Sequence, residues 1–150
     1  MSGRRPASLV VVLLLAGCAG CSRGSLERPN IALIVLDTVR ADRITCSGED
    51  RVATPHIDAL CDRGIFFAHA SSTSSWTLPA HASLFTGLYP LQHGATQEHT
   101  RLGNGASTLA EILGAHGYRT FGASANPMVS VKSGLARGFE SFAETWRAKR

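Results

Sequence analysis

Along the chain, apolar positions alternate between unbroken runs and spaced patterns. Ile31 to Leu36 reads IALIVL, six apolar residues rich in branched side chains, the pattern of a strand covered on both faces in a parallel sheet; it stops at Asp37. Thr54-Pro55 is a helix start, with the hydroxyl at the N-cap and proline at the first helical position. Ile57, Leu60 and Cys61 follow at helical spacing and Gly64 closes the element. IFFAHA, residues 65–70, reads as a second strand. A short helix runs from Thr77 to Phe85 or Thr86, with Gly87 as its stop and Pro90 barring continuation, and a long polar loop follows. Thr108 and Glu111 have the spacing of a capping box ahead of LAEILGAH, Gly117 ends that helix, and YRTFGAS is strand-like. From Asn126 the pattern has no clear period until a final helix near the end. Alternating strands and helices predict an α/β fold, a mostly parallel sheet with crossover helices.

The first residues do not belong to that pattern. Arg4 and Arg5 precede an apolar run from Leu9 to Ala16 that is too short to span a bilayer, so residues 1–17 read as an export signal. The run ends in Leu15-Ala16-Gly17-Cys18, which resembles a bacterial lipobox with Cys18 as the lipid attachment point; an ordinary signal peptide with an incidental cysteine is the alternative. Residues 18–29 are polar and carry Gly and Pro, the composition of a tether, and the folded body is expected over residues 30–150. These features place the protein in the bacterial cell envelope, exported and held to a membrane as a lipoprotein. The 150-residue chain carries a formal charge of +4, and loss of Arg4 and Arg5 with the signal leaves +2, too small an excess to suggest nucleic acid. Cys46 and Cys61 can form a bridge in an exported protein, although the sequence does not demand one.

Candidate chemistry gathers at two places. Ligands in open parallel sheets lie beyond the carboxyl ends of strands, and Asp37 sits at such an end, where a metal ion or an arginine would relieve a carboxylate placed directly after six apolar residues. A turn or helix cap with Arg40 and Arg43 nearby explains the same residue. Thr77 follows five hydroxyl residues and Trp76. It reads either as an N-cap or as an alcohol nucleophile at a helix N-terminus, where backbone amides favour an anionic ester and a cation at Asp37 could acidify the hydroxyl. His81 lies one turn on, on the same face, placed to serve a leaving group or an anion, or simply packed. His93 and His99 fall in loop-like sequence without metal-ligand spacing; His56, His69 and His116 read as surface or packing positions. No P-loop, GxSxG or GxGxxG is present, which removes the commonest nucleotide-binding and serine-hydrolase readings.

RPNIALIVLDTVRAD, TPHIDAL, SSTSSWTLPAHASLFTGLYPLQHG, GYRT and GLARGFESF, in that order, resemble the N-terminal part of a sulfatase, in the alkaline phosphatase superfamily, over about residues 28 to 142. The resemblance implies hydrolysis of sulfate esters of small molecules or glycans, a divalent cation (usually calcium) with Asp37 and Thr77 in its shell, and an alkaline-phosphatase-like sheet of which this chain holds a portion. It also exposes departures. Thr38 stands at the second acidic position of the metal motif. The family's C/S-x-P-S/A-R becomes Thr77-Leu78-Pro79-Ala80-His81, so His81 replaces the arginine that would clamp the nucleophile. A threonine carries a methyl group on Cβ, so the formylglycine aldehyde of the family cannot form there. Ser124 and Ala125 fall where a glycine-lysine pair would contact sulfate. These departures are similar to superfamily relatives that attack phosphorus with an unmodified threonine, such as phosphodiesterases and phosphotransferases, for which zinc or manganese is the expected metal. A non-catalytic remnant is the reading outside enzymes.

Overall fold

A computed structural model describes residues 28–44, 46 and 53–147. The chain divides between Leu36 and Asp37 into two units. The segments expected to carry the export signal and the lipidated Cys18 lie outside the described residues. No helix among the described residues is long and apolar enough to cross a membrane.

In the first unit, residues 28–36 contain neither helix nor strand. The strand expected over Ile31–Leu36 is therefore not formed, and Ile34 is 80% exposed. An apolar run becomes a strand only when its N–H and C=O groups enter a ladder, and no ladder partner is found among the described residues. Its hydrophobicity alone does not create one.

The second unit begins with a single 3-10 turn, Ala41–Arg43, followed by helix α1 (Pro55–Cys61). Pro55 occupies the first turn as the sequence predicts, but the Thr54 hydroxyl donates to the Asp58 carboxylate at 3.0 Å instead of capping the backbone. Cys61, at the end of α1, is paired with Cys46 as a disulfide that closes a 15-residue separation. In a chain-entropy model that closure is worth about 3 kcal/mol. The second expected strand, residues 65–70, is also absent: Phe67 accepts from the Ala70 amide in a turn, and Ile65 and Phe67 stay exposed.

Helix α2 (Thr77–Thr86) supplies the centre of the core. Leu78 and Ala82 point inward against Ala95, Leu102, Ala106, Val129 and Leu135, with Phe85, Leu88 and Phe142 packed on the flank. Leu78, Leu102 and Leu135 are essentially fully buried, each contributing about 2 kcal/mol of transfer free energy. Gly87 ends α2 in the left-handed region at φ 70°, donating to the Ser83 carbonyl at 2.8 Å, as its position predicts. The polar loop expected next contains one more turn of helix, α3 (Pro90–His93), started by Pro90. The proline that ends one helix is thus the first residue of another. Helix α4 (Leu109–Ala115) has the expected capping box: Thr108 Oγ1 accepts from the Glu111 amide at 3.2 Å and Glu111 Oε2 accepts from the Thr108 amide at 2.8 Å.

Strand β1 (Phe121–Ser124) pairs in parallel with β2 (Ser141–Glu144), with Phe121 opposite Ser141 and Ser124 opposite Glu144. The parallel sheet of an α/β fold is present; β2 was hidden by the aperiodic tail. The final helix expected there is reduced to a 3-10 turn, Thr145–Arg147. Between the strands the chain crosses through consecutive turns, with no helix. Gly138, at φ 82°, lets this crossover touch the backbone of α4 at Ala110 and Glu111, where any Cβ would collide. Arg137 fixes the same contact by donating to the carbonyls of Gly103 and Ala106 and pairing with Glu111.

Candidate functional site

The hydroxyl run ahead of α2 does structural work that leaves Thr77 free. Ser72 Oγ donates to the Ser74 carbonyl at 2.6 Å, and Ser74 Oγ accepts from the Trp76 amide at 3.1 Å, so these serines satisfy the turn that leads into the helix. The N-cap is Trp76, extended at φ −109° and ψ 136°, with no side-chain cap. Thr77 is already helical, which removes the reading of Thr77 as an N-cap. Pro79 falls in the first turn, where its missing N–H costs nothing, and the Ala80 amide makes the first helical bond, to the Trp76 carbonyl. The amides of Thr77 and Leu78 therefore head the helix without intrahelical partners.

The freed hydroxyl has a carboxylate beside it. Thr77 Oγ1 donates to Asp37 Oδ2 at 3.2 Å, across 40 residues of sequence. Asp37 is half-buried in a turn, and the next residue, Thr38, sits at φ 63°, the one non-glycine in the left-handed region among the described residues. A β-branched residue there costs on the order of 1–3 kcal/mol, the kind of strain that persists where surrounding contacts fix a side chain for a purpose. Arg40, which the sequence offered beside Arg43 as a neighbour of Asp37, makes its two-pronged pair with Asp42 at 2.9 and 2.7 Å.

A third residue completes the cluster. Asn126 Nδ2 donates to Asp37 Oδ2 at 2.6 Å, reaching across 89 residues. Asn126 lies two residues past the carboxyl end of β1, where parallel sheets place ligand-binding loops. Sequence reasoning missed it, although Asn-Pro directly after a strand-like run is a turn signal at that very end.

His81 is buried and one turn from Thr77, as expected, but it bonds the backbone and not the hydroxyl. Its Nδ1 lies 2.8 Å from the Thr77 carbonyl, which can only accept, so Nδ1–H donates there and Nε2 is the ring nitrogen left to face other groups. Its ring meets Phe85 edge-on. His93, read from sequence as a loop residue, is the buried last residue of α3. The Ala95 amide donates to its Nδ1 at 3.1 Å, so Nε2–H donates to Ser83 Oγ at 3.0 Å. Burial pushes the His93 imidazolium pKa down. A serine that accepts from histidine is not being deprotonated by it, and this pair fastens α3 to α2.

Among the described residues no group of three or more His, Cys, Asp or Glu side chains converges as a metal site. Asp37 offers a free Oδ1 and Thr77 a hydroxyl, while the Asn126 amide oxygen is taken by the Met128 N–H at 2.9 Å. A hard divalent cation takes six or more oxygens, so these residues fit one side of a metal shell and not a whole one.

Comparison with known proteins identifies the family of the chain. The Sulfatase family model matches residues 29–150. An N-acetylgalactosamine-6-O-sulfatase of Bacteroides thetaiotaomicron is 35% identical over 63% of this chain and 19% of its own length. An ulvan-active sulfatase of Formosa agariphila is 33% identical over 77% of this chain and 24% of its own. The crystal structure of the phosphonate monoester hydrolase of Agrobacterium radiobacter superposes with a TM-score of 0.66 at 28% identity, covering 76% of this chain and 25% of that one. The chain thus spans about a fifth to a quarter of the relatives it matches. Sulfatases and their alkaline phosphatase superfamily relatives generally use divalent metal ions. The family match over residues 29–150, together with a turn carboxylate that receives a hydroxyl at the mouth of a helix, shows that the chain belongs to the sulfatase family.

Proposed function

We propose that the protein is a hydrolase of sulfate esters of glycans or small molecules, with the unmodified Thr77 hydroxyl as its nucleophile. The observation that carries this reading is the Thr77–Asp37 hydrogen bond, made by a hydroxyl that the helix does not use as a cap. Attack by Thr77 Oγ1 on sulfur breaks the bond to the ester oxygen, and the threonine proton passes along the existing hydrogen bond to Asp37 Oδ2. The alcohol leaves protonated from solvent; water then attacks sulfur and releases sulfate, the Thr77 oxygen takes back the proton held on Asp37 Oδ2, and the protons of the attacking water pass to solvent. The Thr77 and Leu78 amides at the head of α2 favour the anionic group. A divalent cation held in part by Asp37 and Thr77, calcium for a sulfatase, would supply charge stabilisation and acidify the hydroxyl. His81 Nε2 is the nearby ring nitrogen free to serve a leaving group or the anion.

A second reading, transfer or hydrolysis at phosphorus, is favoured by the threonine itself, which cannot become an aldehyde, and by the likeness to a phosphonate monoester hydrolase. Zinc or manganese would suit that chemistry. Turnover of paired sulfate and phosphate esters of one alcohol by the full-length gene product, beside Thr77→Ala, separates the two. Faster sulfate release, lost in Thr77→Ala, supports the first reading; faster phosphate release supports the second, and equal activity in Thr77→Ala removes Thr77 as nucleophile.

The L-A-G-C motif supports export and lipidation at Cys18, and with it attachment to a membrane of the bacterial envelope. Cys18→Ser is expected to leave the protein unprocessed or soluble on fractionation; normal membrane recovery of this variant contradicts the anchor.

A further inference from the structure

The Asp37 carboxylate is gripped by a side chain to which the reaction above gives no part. Asn126 bonds the same oxygen, Oδ2, that receives the Thr77 hydroxyl, and it does so at 2.6 Å against 3.2 Å for Thr77. The orientation of its amide is not in doubt: the Met128 backbone N–H can only donate, so the atom facing it at 2.9 Å is Oδ1, and Nδ2 must face Asp37. Asn126 therefore meets Asp37 as a hydrogen-bond donor, with its oxygen turned to the Met128 N–H.

Its backbone is held to the sheet end with little freedom. Ser124 Oγ accepts from the Asn126 amide and donates to the Asn126 carbonyl, both at 3.1 Å, and the Val129 amide donates to that carbonyl at 2.9 Å. Thr145 Oγ1 donates to the Ser124 carbonyl at 3.0 Å, tying the same point to the chain just after β2. The opposite partner, Asp37, stands in a turn whose next residue, Thr38, is at φ 63°. Of its two carboxylate oxygens, Oδ2 is the one that meets both Thr77 and Asn126.

We propose that Asn126 is a positioning residue for Thr77, acting through Asp37. Its amide fixes the carboxylate so that Oδ2 receives the threonine proton and Oδ1 is left open. This rests on the reading of Thr77 as nucleophile.

Asn126→Asp separates this role from that of a turn former. The new carboxylate keeps an oxygen for the Met128 N–H but places a second oxygen against Asp37 Oδ2, where two charged carboxylates cannot coexist at hydrogen-bond distance. In the full-length gene product, kcat of Asn126→Asp is expected to fall at least about 100-fold at neutral pH with little change in KM. Asn126→Ser, which can keep the turn through its hydroxyl but has no reach to Asp37, is expected to lose kcat to a similar degree with little change in KM, while melting near the wild-type temperature.

Wild-type kcat in Asn126→Asp, or a loss that falls on KM and not on kcat, overturns the proposal. If Asn126→Asp does not fold, wild-type kcat in a folded Asn126→Ser does the same. Activity in Thr77→Ala would instead overturn the nucleophile reading beneath it, so the two failures are distinguishable.

Discussion

Thr77 owes its chemical freedom to its neighbours. Ser72 and Ser74 bond the turn, Trp76 takes the cap position, and the hydroxyl one residue later is left to meet Asp37. Thr77→Ala should cost at least about a thousandfold in kcat, while Thr77→Ser retains part of the activity because the attacking oxygen survives without the methyl group that fixes its rotamer. Two of the three clustered residues were legible in sequence. Asp37 ends an apolar run and Thr77 starts an apolar helix, so both stand where a change of pattern draws attention. Asn126 did not, because a polar residue inside a turn has no period, and its partner lies 89 residues away. His81 was placed on the right face, but spacing could not show that its ring would turn back to the carbonyl of Thr77.

Elements with their own local chemistry formed as their sequence predicts. The Thr108 and Glu111 capping box, the left-handed Gly87 and the strand at Phe121–Ser124 depend on residues within one turn of each other, or on a paired strand that the chain supplies. The runs at 31–36 and 65–70 did not become strands, since a strand's hydrogen bonds belong to its neighbours and an apolar pattern specifies none. Helix α3 was missed for the opposite reason: Pro90 was read as a stop, although it starts a helix as readily as it ends one. Its last residue carries a testable consequence. The folded-state pKa of His93 lies below the ordinary 6.5 because burial penalises the charged ring. Stability from the neutral ring is complete above that ordinary value and is lost as the pH falls through it toward the folded-state pKa. Denaturation midpoints measured between about pH 7 and about pH 5 should therefore drop, and the His93 share of the drop should vanish in His93→Gln. An unchanged pH dependence in that variant would show that the Ser83–His93 contact does not carry it.

At the scale of the whole molecule, residues far apart in sequence converge on one oxygen. The core built by α2 with Leu102, Val129 and Leu135 sets the helix mouth, and the parallel pair β1–β2 sets the position of Asn126. Asp37, from the turn at the start of this unit, joins the two. The central claim, that Thr77 becomes covalently linked to the group it attacks, is tested most directly by acid-quenching the full-length gene product during turnover and locating the adduct by peptide mass spectrometry. The account predicts a sulfo or phospho group on the Thr77 hydroxyl, present with substrate and absent from Thr77→Ala. An adduct on another side chain, or turnover in Thr77→Ala at the wild-type rate, would contradict it.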